Sequence, residues 1–84
     1  LSPSFFHFRS AGGAEVDLIA EINGMLYPME IKAKSQPTAR DANGFRSLRE
    51  CFPAARIATG LVVCAVERPT RIGKDAVTVP WWMV

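Results

Sequence analysis

Asn23-Gly24, set between two stretches of strand-forming residues, is the part of this 84-residue sequence that leaves folding the least freedom. Both residues tolerate the positive φ of a type I′ turn, and a two-residue turn fixes the register of the strands on either side. Asp17 lies six positions before Asn23, and Glu30 lies six positions after Gly24. A tight hairpin therefore sets two carboxylates face to face on adjacent strands, with Cβ atoms about 4.5–5.5 Å apart, where they repel. Something must offset that repulsion.

The flanking sequence fits such a hairpin. Phe5 to Arg9 alternates Phe6 and Phe8 with His7 and Arg9, the period of a half-buried strand. Ser10-Ala11-Gly12-Gly13-Ala14 supplies a reversal. Val16, Leu18, Ala20 and Ile22 are expected on one face of the next strand, with Glu15, Asp17, Ile19 and Glu21 on the other. Met25 to Ala33 returns, so the first 34 residues predict a three-stranded antiparallel meander. Pro37 excludes Gln36 from the helical region. Thr38 then caps a helix with Asp41 at its third position, and Ala39, Ala42, Phe45, Leu48 and Phe52 form its apolar stripe. Gly44 weakens that helix by up to about 1 kcal/mol relative to alanine, and Pro53 ends it.

Beyond the helix, Arg56 to Val66 reads as one strand covered on both faces, the core strand of the domain. Glu67-Arg68-Pro69-Thr70-Arg71 reads as turn or loop, and Gly73-Lys74-Asp75 as a second reversal. Val77-Thr78-Val79 is a short strand, Pro80 demotes the residues after it to an edge or tail, and Trp81-Trp82-Met83 forms a bulky terminal plug. The fold class is α/β: meander, helix, buried strand, short C-terminal strand. Residues 1–84 make a single domain, since a chain of this size buries only about 60% of its unfolded surface and cannot build a second core.

The hydrophobic fraction of 49% and charged fraction of 21% exclude a disordered chain. A net charge of +2 is too small to argue for nucleic acid by itself. Arg40, Arg46, Arg49, Arg56, Arg68 and Arg71 fall in the second half, while Glu15, Asp17, Glu21 and Glu30 dominate the first. That asymmetry fits either a basic surface beside an acidic cleft or an ordinary solvated face. Cys51 and Cys64 have no metal-ligand or disulfide-framework spacing, and Cys64 sits in an apolar run as a small hydrophobe. The apolar run from Ile57 to Val66 falls short of the roughly 20 residues of a membrane helix, and no basic leader with an apolar core opens the sequence. A cytoplasmic protein with no membrane partner is expected. The sequence starts without methionine just before Phe5, which suggests a fragment of a longer protein.

A divalent cation is the economical answer to the opposed carboxylates, because Mg²⁺ and Mn²⁺ take oxygen ligands and keep several waters. Asp17 and Glu30 would each supply an oxygen, and the Ile31 carbonyl a third. Lys32, two residues past Glu30, projects to the same face and can stabilise charge on a transferring phosphoryl group. The alternative is a solvated hairpin whose Asp, Glu and Lys neutralise one another. His7 is a lone strand histidine without a Ser/His/Asp or Cys/His arrangement around it, and Gly12-Gly13 lacks the setting of a phosphate-binding loop. Trp81-Trp82 can stack on bases, close a core or dock against another module.

An Asp at a strand end, a hairpin, Glu-x-Lys on the next strand, a helix and a buried strand together resemble the PD-(D/E)xK nuclease superfamily. Phe6-x-Phe8-Arg9, Gly13-x-Glu15-Val16-Asp17-Leu18-Ile19, Pro28-Met29-Glu30-Ile31-Lys32, the Leu48 helix and Val79-Pro80-Trp81-Trp82 look more closely like one family. It is the C-terminal domain of unknown function behind the ATPase module of many bacterial and archaeal AAA-type ATPases. The resemblance implies a restriction-endonuclease-like core in which Asp17 and Glu30 are metal ligands and Lys32 is the catalytic lysine. It implies ATP binding in an upstream module of the parent chain and not here. Active nucleases of the superfamily usually add a glutamate from a helix before the first strand, which this sequence lacks. Lys34 shares a face with Lys32, and Gln36 loosely matches the polar residue that often follows such sites; with Arg9 they are the substrate-contacting candidates. Two functions are thus expected: Mg²⁺- or Mn²⁺-dependent hydrolysis of DNA, or a non-catalytic domain recruiting a partner or nucleic acid to the fused ATPase. Homodimerisation through a strand edge or the C-terminal aromatics is a further expectation.

Overall fold

Asn23 and Gly24 adopt φ values of 54° and 79°, the left-handed pair that a type I′ turn requires. In the computed structural model, which describes residues 2–84, they join β2 (Glu15–Ile22) to β3 (Met25–Ile31). Pairing runs from Ile22 opposite Met25 to Leu18 opposite Met29. β1 (Ser4–Arg9) lies antiparallel along the other edge of β2, completing the expected meander.

After the helix the chain returns to the same sheet as β4 (Arg56–Ile57), β5 (Gly60–Cys64), β6 (Thr70–Ile72) and β7 (Ala76–Pro80). The sheet has seven strands in the order β1-β2-β3-β5-β7-β6, with β4 also paired to β3. β3, β5 and β7 run parallel, whereas β6 is antiparallel to β7. The architecture is α/β, a mixed sheet with one α-helix, α1 (Asn43–Cys51). Among the described residues no helix is long and apolar enough to cross a membrane.

Val16, Ile19, Ala42, Phe45, Leu48, Val62, Cys64 and Ala76 form the buried cluster between α1 and the sheet. Two glycines set how deeply the helix sits. A Cβ on Gly44 would lie 1.9 Å from the Glu15 carbonyl oxygen, and one on Gly60 would lie 2.4 Å from the Phe45 ring. Gly44, read in the sequence as a weakness of the helix, is thus where the helix backbone meets β2.

Several sequence expectations are amended. Phe6 pairs with Ile19 but Phe8 with Val16, so Asp17 and Leu18 together oppose His7 in a β-bulge. The extra residue shifts the phase of β2: Val16 and Ile19, expected on opposite faces, are both buried, while Leu18 is exposed. Arg56 to Val66 is not one strand but β4 and β5, broken at Ala58-Thr59. The break follows from Pro28. Leu26 accepts the Ala58 N–H at 2.8 Å, and Pro28, two residues on and facing the same edge, has no N–H to continue the ladder. Thr70 and Arg71, read as loop, belong to β6, while Val77 to Val79 form a strand as expected, within β7. Residues 39–42 form a 3-10 turn before α1, and Ala39 stays exposed. Phe52 is 51% exposed and meets Phe8 edge-on instead of filling the core. The terminal plug is likewise not formed, because Trp81, Trp82 and Met83 are all more than half exposed.

Candidate functional site

The end of the β2–β3 ladder places the residues singled out by the hairpin arithmetic. In the register of this pair, Asp17 stands opposite Glu30 one step past Leu18 and Met29. No main-chain bond is expected between them, because counting from the turn this is a non-hydrogen-bonded position of the antiparallel ladder. Side chains take over the main-chain partners: the Asp17 N–H donates to Glu30 Oε1 at 2.8 Å, and the Ile31 N–H donates to Asp17 Oδ2 at 2.9 Å. One oxygen of each carboxylate stands outside these two bonds. Lys32 Nζ lies 3.5 Å from the second Glu30 oxygen, Oε2. Asp17, Glu30 and Lys32 thus converge on the face that carries α1.

Burial separates the two acids. Glu30 is 7% exposed, while Asp17 is open to solvent. Burial lifts the Glu30 carboxyl above its ordinary 4.5, the Asp17 N–H draws it down, the Asp17 carboxyl pushes it up again and Lys32 opposes it; the net direction is upward. A cation beside both carboxylates would relieve the two upward contributions together.

Ile31 contributes its N–H, and its carbonyl leaves the strand on the same edge, toward Asp17. Lys34 points to α1's side and is held by Asp41, with Nζ 3.0 and 3.2 Å from the two carboxylate oxygens. Gln36 is exposed in the loop before the 3-10 turn. Arg9 is paired to Glu15 at 3.5 Å on an exposed edge. The structure therefore gathers Asp17, Glu30, Ile31 and Lys32, whereas Lys34 is engaged by Asp41, and Gln36 and Arg9 stand on separate segments.

Asp41 was legible as a helix cap, and its N–H and carboxylate do bond Thr38, but its hold on Lys34 had no sequence signal. Burial pushes the Asp41 carboxyl up, yet the Thr38 N–H and the Lys34 ammonium outweigh it and hold the group below its ordinary 3.8. A crevice of about 410 Å³ next to Lys32, bounded by Ile31, Val63, Cys64 and Trp81, was also not foreseen. It depends on a parallel alignment of strands far apart in sequence. Among the described residues no three His, Cys, Asp or Glu side chains cluster as a ready metal cage.

Compared with known proteins, residues 1–83 match the model of a domain of unknown function, DUF4143. No curated protein and no solved structure matches the chain.

Proposed function

The chain belongs to the DUF4143 family of domains of unknown function, and we propose that it is a restriction-endonuclease-like domain hydrolysing DNA phosphodiesters with Mg²⁺ or Mn²⁺. The observation that carries this reading is the convergence of Asp17, Glu30 and Lys32 at the open end of the hairpin. The donor set suits a hard cation: one oxygen from each carboxylate and the Ile31 carbonyl are oxygen ligands, and water or substrate would complete the shell. Such an ion would supply positive charge to polarise a phosphoryl oxygen.

The chain's own groups do the rest. Asp17 and Glu30 are fixed by the bonds to the Asp17 and Ile31 N–H groups, so little side-chain freedom remains to be lost on binding. Lys32, steered by Glu30, presents its ammonium to charge accumulating on the phosphoryl oxygens. Arg9, Lys34 and Gln36 are the contacts to the nucleic-acid backbone, Lys34 exchanging Asp41 for a phosphate. The parent protein would be a cytoplasmic AAA-type ATPase, with ATP bound by the module upstream.

A metal-dependent cleavage assay on the full-length protein tests this reading. K32A is expected to cleave on the order of a hundredfold more slowly, the scale for removing one electrostatic donor. Cleavage by K32A at the wild-type rate, or none by the wild type with either ion, overturns it. A second reading is favoured by the same bonds. Carboxylates that satisfy two strand-end N–H groups close a hairpin without any ion, as in a non-catalytic domain recruiting a partner or nucleic acid to the ATPase. Under that reading, manganese leaves the site unaffected.

A further inference from the structure

One broad face of the sheet is bare. The chain is a slab of 32 × 32 × 19 Å, thick enough for the sheet and α1 but not for a third layer, since packed layers stand about 10 Å apart. Residues buried beneath α1, such as Ile19, Val62 and Ala76, alternate along their strands with residues that point the other way. Leu18, Met29, Leu61 and Val77 line up across β2, β3, β5 and β7 on that far side. Ile31, Val63 and Val79 form the next row. Phe5, Ala20 and Tyr27 flank the first row on its other side. None of these positions carries a charge. The charged groups that share the face stand at its margins: Arg9 and Glu15 at one end of β1 and β2, Arg56 on β4, and Arg71 on edge strand β6.

Parallel strands such as β3, β5 and β7 are normally covered on both faces. Here the missing cover shows in the total surface. A compact monomer of 9.2 kDa exposes about 4,900 Å², whereas this chain exposes 5557 Å². The excess, roughly 650 Å², is close to the 800 Å² or so that each partner gives to a standard interface. Whatever covers the face must be broad, apolar and uncharged at its centre, and the same face of a second copy has all three properties. Two such faces stack as aligned sheets do, their side chains interdigitating across about 10 Å. In a two-fold arrangement no like charges meet at the centre, and each rim offers Glu15 as well as arginines to the other. We infer that the chain self-associates through this face into a homodimer of four layers, α-β-β-α. Asp17, Glu30 and Lys32 lie on α1's side of the sheet, so both copies of that site stay outside the interface.

The test is photo-crosslinking of the full-length protein with p-benzoylphenylalanine in place of Tyr27. Copies labelled with ¹⁵N are mixed and equilibrated with unlabelled copies, irradiated, digested and read by mass spectrometry. Mixed-isotope crosslinks from position 27 to the partner's bare face are expected, whatever other modules also associate. Sedimentation of full-length Tyr27→Glu and Phe5→Glu should give dimer dissociation constants raised at least tenfold, the scale of one lost aromatic anchor. Tyr27 is 45% and Phe5 60% exposed in the single chain, so neither change should unfold it, which far-UV circular dichroism checks. Arg46→Glu, at an exposed position of α1 on the opposite side, should leave the constant unchanged. Crosslinks from position 27 confined to single-isotope pairs, as when another segment of the same chain covers the face, overturn the inference. A dissociation constant that neither Tyr27→Glu nor Phe5→Glu changes also overturns it, as does a full-length protein that sediments as a monomer.

Discussion

Replacing Gly44 with alanine sets helix propensity against packing, and the structure decides between them. In an isolated helix the change would stabilise by about 1 kcal/mol. In this chain the new Cβ would lie 1.9 Å from the Glu15 carbonyl oxygen, 2.8 Å from the carbonyl carbon and 3.2 Å from Val16 Cγ2. Ordinary contacts between heavy atoms begin near 3.5 Å, so α1 or β2 must move by roughly 1.5 Å. The obstacle is main chain, which no rotamer change removes. Overpacking of this kind costs about 1–3 kcal/mol or somewhat more, and after the propensity gain a net loss of about 1–2 kcal/mol is expected. Val16 adjoins Asp17, so the displaced strand should also disturb the Asp17–Glu30 bond. Urea unfolding of wild type and G44A should show a lower midpoint at unchanged slope. A G44A protein as stable as wild type would refute the proposed depth of the helix on the sheet.

Thr78 is buried, and its Oγ1 donates to the Thr70 carbonyl at 3.0 Å and accepts the Thr70 N–H at 3.1 Å. Thr78→Val keeps the shape but strands both groups, and because Thr70 is reachable by water the expected loss is about 1 kcal/mol, measurable by urea unfolding. The depressed pKa of Asp41 contributes stability that is present above its ordinary 3.8 and lost as pH falls through the lower folded value. Acid titration of Asp41→Asn should accordingly lack that part of the acid limb. Cys64 is 2% exposed, and burial, reinforced by the Asp41 charge, pushes its thiol up. Iodoacetamide labelling read by mass spectrometry should modify exposed Cys51 well before Cys64 in the folded protein.

The local rules in the sequence went far. Asn23-Gly24 specified the turn and the register, and that register placed Asp17 opposite Glu30. Thr38 and Asp41 marked the start of the helical segment, and Phe45 and Leu48 its buried face. The features that escaped depend on contacts between distant segments. The bulge at Asp17-Leu18 arises from fitting β2 to β1 opposite His7, so strict alternation along β2 misassigned Val16. Pro28 breaks the pairing of a neighbouring strand some thirty residues later in the chain, an effect no window around Arg56 to Val66 contains. Thr70 and Arg71 carry turn-like neighbours, yet pairing with β7 makes them strand. Gly44 and Gly60 look like local weaknesses until the opposing Glu15 carbonyl and Phe45 ring are in place.

A residue-resolved manganese titration is the most direct test of the cation site. The amide signals of Asp17, Ile31 and Lys32 are expected to broaden before all others, and Asp17→Asn or Glu30→Gln to abolish this selectivity. Signals at these positions that stay unchanged up to millimolar manganese would contradict the cation site and leave the trio as a clasp on the end of the hairpin.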